Sequence, residues 1–244
     1  MCRETSAAPS GKATTTHTGR VTEILLIEDD PLLRRGLQLA LSRHGHEVRT
    51  ADTGEEGLRE FHARTPGIVV LDLMLPGMDG FQVCRRIRAD GEVPVIMLTA
   101  RGDDFDVIGG LEAGADDYVV KPAQPTVLDA RIRAVLRRTV DVPNEVRVHR
   151  DLRIDTVSLT VTVGEAPVML TPTEMRLLLT LSRSPERVYS RQQLLEEVWE
   201  HDYLGDSRLV DNSVQRLRAK IEADPAEPVY VQTVRGFGYR FGPV

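Results

Sequence analysis

The sequence is poor in the features that mark several protein classes. Of 244 residues, two are cysteine and one is tryptophan, and aromatic residues make up only 5%. Cys2 and Cys84 lie far apart, which excludes a disulfide framework and points to a reducing, cytoplasmic setting. No apolar run approaches the ~18–20 residues a membrane span requires. The first twenty residues hold no apolar signal-peptide core, so a secretory signal is not expected. Positive charge is outweighed: 31 Lys and Arg stand against 37 Asp and Glu, and the net charge of −6, taken alone, argues against nucleic acid as a partner. No internal repeat or low-complexity run is present. What the chain does have is enough length for two domains, each with its own core.

Residues 1–21 are polar, small and aperiodic, as expected of a disordered extension. Beyond them short apolar runs alternate with amphipathic stretches. Strands are expected at 24–27, 46–50, 68–71, 93–98 and 118–120. Helices are expected at 31–41, 54–63, 81–89, 105–113 and 126–138. Five such βα units imply a doubly wound five-stranded parallel sheet covered by helices on both faces, spanning 22–138. Residues 139–145 form a linker. From 146 to 244 the pattern becomes α+β: short antiparallel strands to Met169, three helices, and a closing hairpin with Gly236 and Gly238 near its tip. Thr171 with Glu174, and Ser190 with Gln193, are capping-box pairs that open the first two helices. Three helices and a hairpin make a winged helix-turn-helix.

In an open parallel sheet, ligand chemistry collects at the carboxyl ends of the strands. Glu28 and Asp29 follow the first strand and Asp72 ends the third, and neighbouring strands would bring these carboxylates together. Crowded carboxylates favour a hard divalent cation, and Mg²⁺ suits a site with few carboxylates. Thr99 and Lys121 end two further strands. A hydroxyl, an ammonium and a metal around one carboxylate can stabilise a phosphoryl group in transfer.

Residues 23–138 resemble the receiver domain of two-component response regulators. The resemblance rests on Glu28-Asp29-Asp30, the run from Leu71-Asp72 to Asp79-Gly80, Leu98-Thr99-Ala100, Gly114 to Tyr118, and Lys121-Pro122. It implies that Asp72 is the phosphoacceptor, taking a phosphoryl group from a phosphohistidine on a sensor histidine kinase. It further implies that Glu28, Asp29, Asp72 and the Met74 backbone carbonyl hold Mg²⁺, with Thr99 and Lys121 binding the phosphoryl oxygens and Tyr118 switching. A haloacid-dehalogenase-type phosphatase would need a second acid two residues after the nucleophile, where this chain has Met74. A regulator that binds DNA without phosphorylation is the other alternative, and the complete acid, Thr and Lys set argues against it.

Residues 145–244 resemble the winged-helix effector domain of the OmpR/PhoB family, through Leu170 to Glu174, Ser190 to Leu195, Val198-Trp199, Arg208 to Asp211, Arg216-Leu217-Arg218 and Thr233 to Phe241. On the third helix, Val210, Val214, Leu217 and Ile221 form an apolar stripe. Asn212, Ser213, Arg216 and Lys220 are then expected to face outward, into a major groove. Arg208 and Arg218 are expected to reach phosphates, and Arg235 the minor groove. The resemblance also implies that the loop from Trp199 to Asp206 contacts RNA polymerase. Residues 207–220 carry a local +3, although each half of the chain, divided at residue 140, is net −3. Nucleic-acid binding therefore has to rest on one helix and one wing.

The family resemblance implies a homodimer of phosphorylated chains on tandem promoter half-sites, acting as a transcription factor rather than an enzyme. Its interface would include Glu112, Asp116, Asp117, Arg131, Arg133 and Arg138. Where the family places an opposite-charge pair this chain has Val107 and Val127, and an apolar contact across the two-fold is expected instead. Ala123 stands where the family usually has Phe.

Overall fold

The computed structural model describes residues 21–99, 113–137, 145–199 and 207–242. The first layer is a parallel sheet of β1 (Glu23–Ile27), β2 (Glu47–Ala51), β3 (Ile68–Asp72), β4 (Val95–Thr99) and β5 (Asp117–Val120), in the order β2-β1-β3-β4-β5. Helices α1 (Pro31–Arg43), α2 (Gly54–Ala63), α3 (Gly80–Asp90) and α4 (Pro125–Leu136) cover it. The expected helix at 105–113 falls almost wholly outside the described residues.

The strand residues alternate between two cores, as the pleat requires. Leu25, Ile27, Val69, Leu71, Val95 and Met97 pack with Leu58, Phe61, Val83 and Ile87 from α2 and α3. Ile24, Leu26, Ile68, Val70, Ile96 and Leu98 pack with Leu37 and Leu41 of α1 and Leu128, Ile132 and Val135 of α4. Burying each such side chain contributes ~1.5–3 kcal/mol, which fixes the register. In that register Ile27 pairs with Leu71, Asp72 with Leu98, and Thr99 with Val120. The residues that end β1, β3, β4 and β5 therefore emerge side by side.

The second unit begins with an antiparallel sheet of β6 (Val146–His149), β7 (Leu152–Asp155), β8 (Thr160–Val163) and β9 (Ala166–Val168). Helix α5 (Pro172–Arg183) follows, opened by the Thr171–Glu174 capping box. Ser190 and Gln193 cap α6 (Arg191–Leu194), which widens into one π-helical turn over Leu195–Trp199. Helix α7 (Arg208–Ile221) and the hairpin β10 (Val231–Val234) and β11 (Gly238–Phe241) complete the domain. Val210, Val214, Leu217 and Ile221 are buried in its core, as the helical spacing requires. The hairpin is tied down where Tyr189 bridges Tyr239. A Cβ on Gly238 would lie 2.1 Å from the Tyr189 carbonyl oxygen, so only glycine permits this approach.

The two domains are docked. Trp199 Nε1 donates to the Asp116 carbonyl at 2.9 Å, and Thr171 Oγ1 donates to the Asp116 carboxylate at 2.9 Å. Arg216 Nη1 donates to the Ala115 carbonyl at 2.7 Å, and Lys220 Nζ pairs with Glu92 at 2.7 Å. Arg176 donates to the Ala134 carbonyl. Tyr118 packs against the cores of both domains.

Candidate functional site

Three carboxylates meet at the carboxyl edge of the sheet. Glu28, Asp29 and Asp72 each present an oxygen within 4.8 Å of the others. Glu28 and Asp72 are buried and Asp29 is exposed. Asp30 is turned away, its Oδ1 accepting from Leu32 and Leu33 N–H at 2.8 and 2.9 Å to cap α1. Lys121 Nζ reaches over the pocket to Glu28 Oε2 and Asp72 Oδ2, both at 2.9 Å. Burial pulls the Lys121 ammonium down, but its bonds to Glu28 and Asp72 outweigh this and hold its pKa above the ordinary value. Burial is also the largest influence on Glu28 and, with the Asp72 charge, raises its carboxyl above the usual range against the pull of Lys121.

Two supports for this edge were not apparent in the sequence. Arg34, one turn into α1, donates to the carbonyls of Glu28 and Asp29 at 2.7 and 2.9 Å, fixing the acidic loop. Its position on the helix, a few residues after the acids, was the available signal. Gly80 opens α3 directly under the pocket, where a Cβ would lie 2.3 Å from the Asp72 carbonyl oxygen. Thr99 is buried at the end of β4, and Tyr118 is half-buried on β5. Met74 N–H approaches Asp72 Oδ1 at 3.3 Å, with its side chain exposed.

Three close carboxylates countered by a single ammonium form a hard, all-oxygen donor set that fits Mg²⁺. Glu28, Asp29 and Asp72 are the side chains able to hold it. When bound, such a cation neutralises negative charge on phosphoryl oxygens.

The recognition-helix residues are placed differently from the sequence expectation. Ser213 does not face outward; it is fully buried, in the turn before Arg216, whose Nη2 lies 3.4 Å from its hydroxyl. Arg216 and Lys220 are engaged within the chain. Arg216 bonds Ala115 and lies 3.6 Å from Glu174, and Lys220 pairs with Glu92 and Glu174 at 2.7 Å each. Arg218 is bound to the wing, donating to the Val231 carbonyl at 2.7 Å and Thr233 Oγ1 at 2.9 Å, so in this arrangement it is not directed at phosphates. Asn212 and Arg208 are partly exposed, and Arg235 is exposed at the hairpin turn beside exposed Phe237. Asp211 joins helix to wing, accepting from Arg191 at 2.6 Å and Tyr239 at 2.8 Å. Burial and that bond push the Tyr239 phenol up to about 12.

The expected dimer residues are also partly occupied. Asp116 is fully buried between Arg88 at 2.5 Å and Thr171, so it is a joint inside the chain rather than a free surface acid. Asp117 is buried and pairs with Arg131 of the same chain at 3.1 Å. Arg133 pairs with Asp129 at 2.5 Å, and His46 and His44 approach the same carboxylate at 2.8 and 3.2 Å. Val127 is exposed on α4. Val107, Glu112, Arg138 and the loop 200–206 lie outside the described residues.

Two family models match the chain. Residues 24–133 match the response regulator receiver domain family, and residues 164–241 match the family described as transcriptional regulatory protein, C terminal. The transcriptional regulatory protein AfsQ1 of Streptomyces coelicolor is 59% identical over 220 residues, covering 90% of this chain and 98% of that protein. The DNA-binding response regulator MtrA of Mycobacterium tuberculosis is 47% identical, covering 90% and 96%. Among solved structures, a mutant form of RitR is 30% identical with a TM-score of 0.69, covering 91% of this chain and all of that one. DrrB, an OmpR/PhoB homologue of Thermotoga maritima, is 36% identical with a TM-score of 0.49, covering 92% and 100%. No helix among the described residues is long and apolar enough to cross a membrane. The chain belongs to the OmpR/PhoB family of two-component response regulators, DNA-binding regulators of transcription that join a receiver to a winged helix.

Proposed function

We propose that this protein is a cytoplasmic transcription factor switched by phosphorylation of Asp72 by a sensor histidine kinase. The observation that carries the proposal is the position of Lys121 Nζ, 2.9 Å from both Asp72 and Glu28 in a cluster of three carboxylates. A carboxylate oxygen of Asp72 attacks phosphorus in line, and the kinase imidazole leaves. Glu28, Asp29, Asp72 and the Met74 carbonyl would hold Mg²⁺, which would neutralise charge on the phosphoryl oxygens. Lys121 then exchanges part of its contact with Glu28 for a phosphoryl oxygen, and Thr99 donates a hydrogen bond to another. The only chemistry the protein performs on its own is self-phosphorylation and dephosphorylation.

Phosphorylated chains pair through the receiver and occupy tandem promoter half-sites. Asn212, Arg216 and Lys220 read the major groove, Arg208 contacts phosphate, and Arg235 enters the minor groove. RNA polymerase is contacted from the loop after Trp199. Val127, exposed on α4, supports an apolar contact with Val107 across the dimer axis. Phosphorylation-driven dimerisation that survives Val127→Glu counts against that contact.

The test is mass spectrometry after incubation with acetyl phosphate and Mg²⁺. A gain of one phosphoryl group, absent in Asp72→Asn, is expected. An unmodified wild-type chain, or a modified Asp72→Asn chain, rejects the assignment.

A further inference from the structure

In the docked arrangement two candidate DNA-reading side chains already have partners on the receiver. Arg216 is held by the Ala115 carbonyl at 2.7 Å and Lys220 by Glu92 at 2.7 Å. The receiver residues Glu92 and Ala115 thus occupy the face of α7 that DNA requires. The same contact contains an element that works against it. Arg176 on α5 is only 2% exposed and faces the end of α4, where one of its nitrogens donates to the Ala134 carbonyl. Among the described residues its Nε and Nη2 find no hydrogen-bond partner.

We propose that Arg176 is a built-in destabilising residue of the docked state, a buried and incompletely paired cation that keeps the receiver close to release from α7. The inference rests on the DNA-binding reading above and concerns how that site is regulated. A guanidinium has five N–H donors, and burying it without a carboxylate partner is costly. The acids near it are committed elsewhere. The Asp116 carboxylate serves Arg88, the Val95 N–H and Thr171. The Asp117 carboxylate serves Arg131 and the Tyr118 N–H. Burial is the dominant influence on Arg176 and, with the nearby Arg137 charge, brings its pKa down to about 10 against the pull of Asp116 and Asp117. Separating the domains returns this side chain to water and breaks the bonds of Arg216 to Ala115 and of Lys220 to Glu92. Arg216 then keeps Glu174 and Ser213 of its own domain as partners, and Lys220 keeps Glu174. Docking and DNA then compete for α7, and the apparent DNA affinity scales with the undocked fraction.

The experiment uses the full chain and a labelled duplex selected by phosphorylated wild-type protein from a random-sequence pool. DNA affinity is measured with and without acetyl phosphate for wild type, Arg176→Met and Glu92→Ala. Arg176→Met removes the charge and keeps the aliphatic length, so it tightens docking. The affinity of the unphosphorylated protein should fall about tenfold, and the gain on phosphorylation should grow by about that factor. Glu92→Ala lies on the receiver surface and removes one docking bond. It should raise the unphosphorylated affinity about fivefold and shrink the gain. Emission from Trp199, the only tryptophan, reports docking directly through its bond to Asp116. A substitution that merely damaged the fold would lower both affinities together and leave the gain unchanged, and that result overturns the proposal. Wild-type protein that neither binds any duplex nor responds to acetyl phosphate rejects the functional reading instead.

Discussion

Lys121 Nζ lies 2.9 Å from Asp72 Oδ2, and the same ammonium holds Glu28 at 2.9 Å. One cation therefore separates two buried carboxylates that would otherwise repel. Lys121→Met should lower receiver stability by about 1–3 kcal/mol, toward the low end because Lys121 keeps some contact with water. Millimolar Mg²⁺ should restore more of the loss in the variant than it adds to wild type. Thermal unfolding with Mg²⁺ and with EDTA checks this, and equal Mg²⁺ responses count against it.

Cys84 is completely enclosed in the core on α3, and burial pushes its thiol up to about 11 from an ordinary 9.0. The folded state holds the thiol proton more tightly than the unfolded chain. The associated stability is complete below pH 9 and is lost as pH rises through about 11. At pH 8 Cys84 should resist alkylation in the native protein and react once the chain is unfolded in guanidinium. Peptide mapping after labelling reads both states.

Thr171 and Ser190 are equivalent N-caps, each in a complete capping box. Alanine at either position should cost about 1 kcal/mol. Thr171 also donates to Asp116 across the domain contact, so Thr171→Ala should cost about 1 kcal/mol more and alter Trp199 emission, whereas Ser190→Ala leaves that emission unchanged. Equal costs in urea denaturation would mean that the Asp116 bond adds nothing.

Gly238→Ala would place a methyl group 2.1 Å from the Tyr189 carbonyl, at a φ of +148°. The neighbour is backbone and has little room to yield. A loss of about 2 kcal/mol or more from the winged-helix domain is expected, with the hairpin displaced from Tyr189. Amide exchange at Tyr239, whose N–H bonds the Tyr189 carbonyl at 2.9 Å, would report the displacement.

Much of the fold was legible because it is set by local rules. The alternation in Ile24 to Ile27 and Ile68 to Leu71, and the caps at Thr171 and Ser190, act within a few residues of sequence. The clustering of Glu28, Asp29 and Asp72 follows once the β1–β3 pairing is inferred. Ser213 departs from expectation because helical periodicity places a residue around an axis but does not say what covers the next face. Arg216, Arg218 and Asp116 turn inward for a related reason. Their partners, Ala115, Val231 and Thr171, lie 101, 13 and 55 residues away, and no spacing rule connects them. Arg176 gave no signal at all: within a helix of good propensity it looks like an ordinary surface arginine.

Asp116 connects Arg88 of the receiver with Thr171 and Trp199 of the winged helix, through its carboxylate to the first two and its carbonyl to the third. The halves of this protein are thus not interchangeable modules. A chimera that grafts a relative's receiver onto this winged helix inherits one side of the joint without the other. Its response to phosphorylation would reflect a mismatched seam as well as the receiver's own properties. Domain swaps meant to redirect a signal in this protein should carry Arg88, Asp116, Thr171 and Trp199 together.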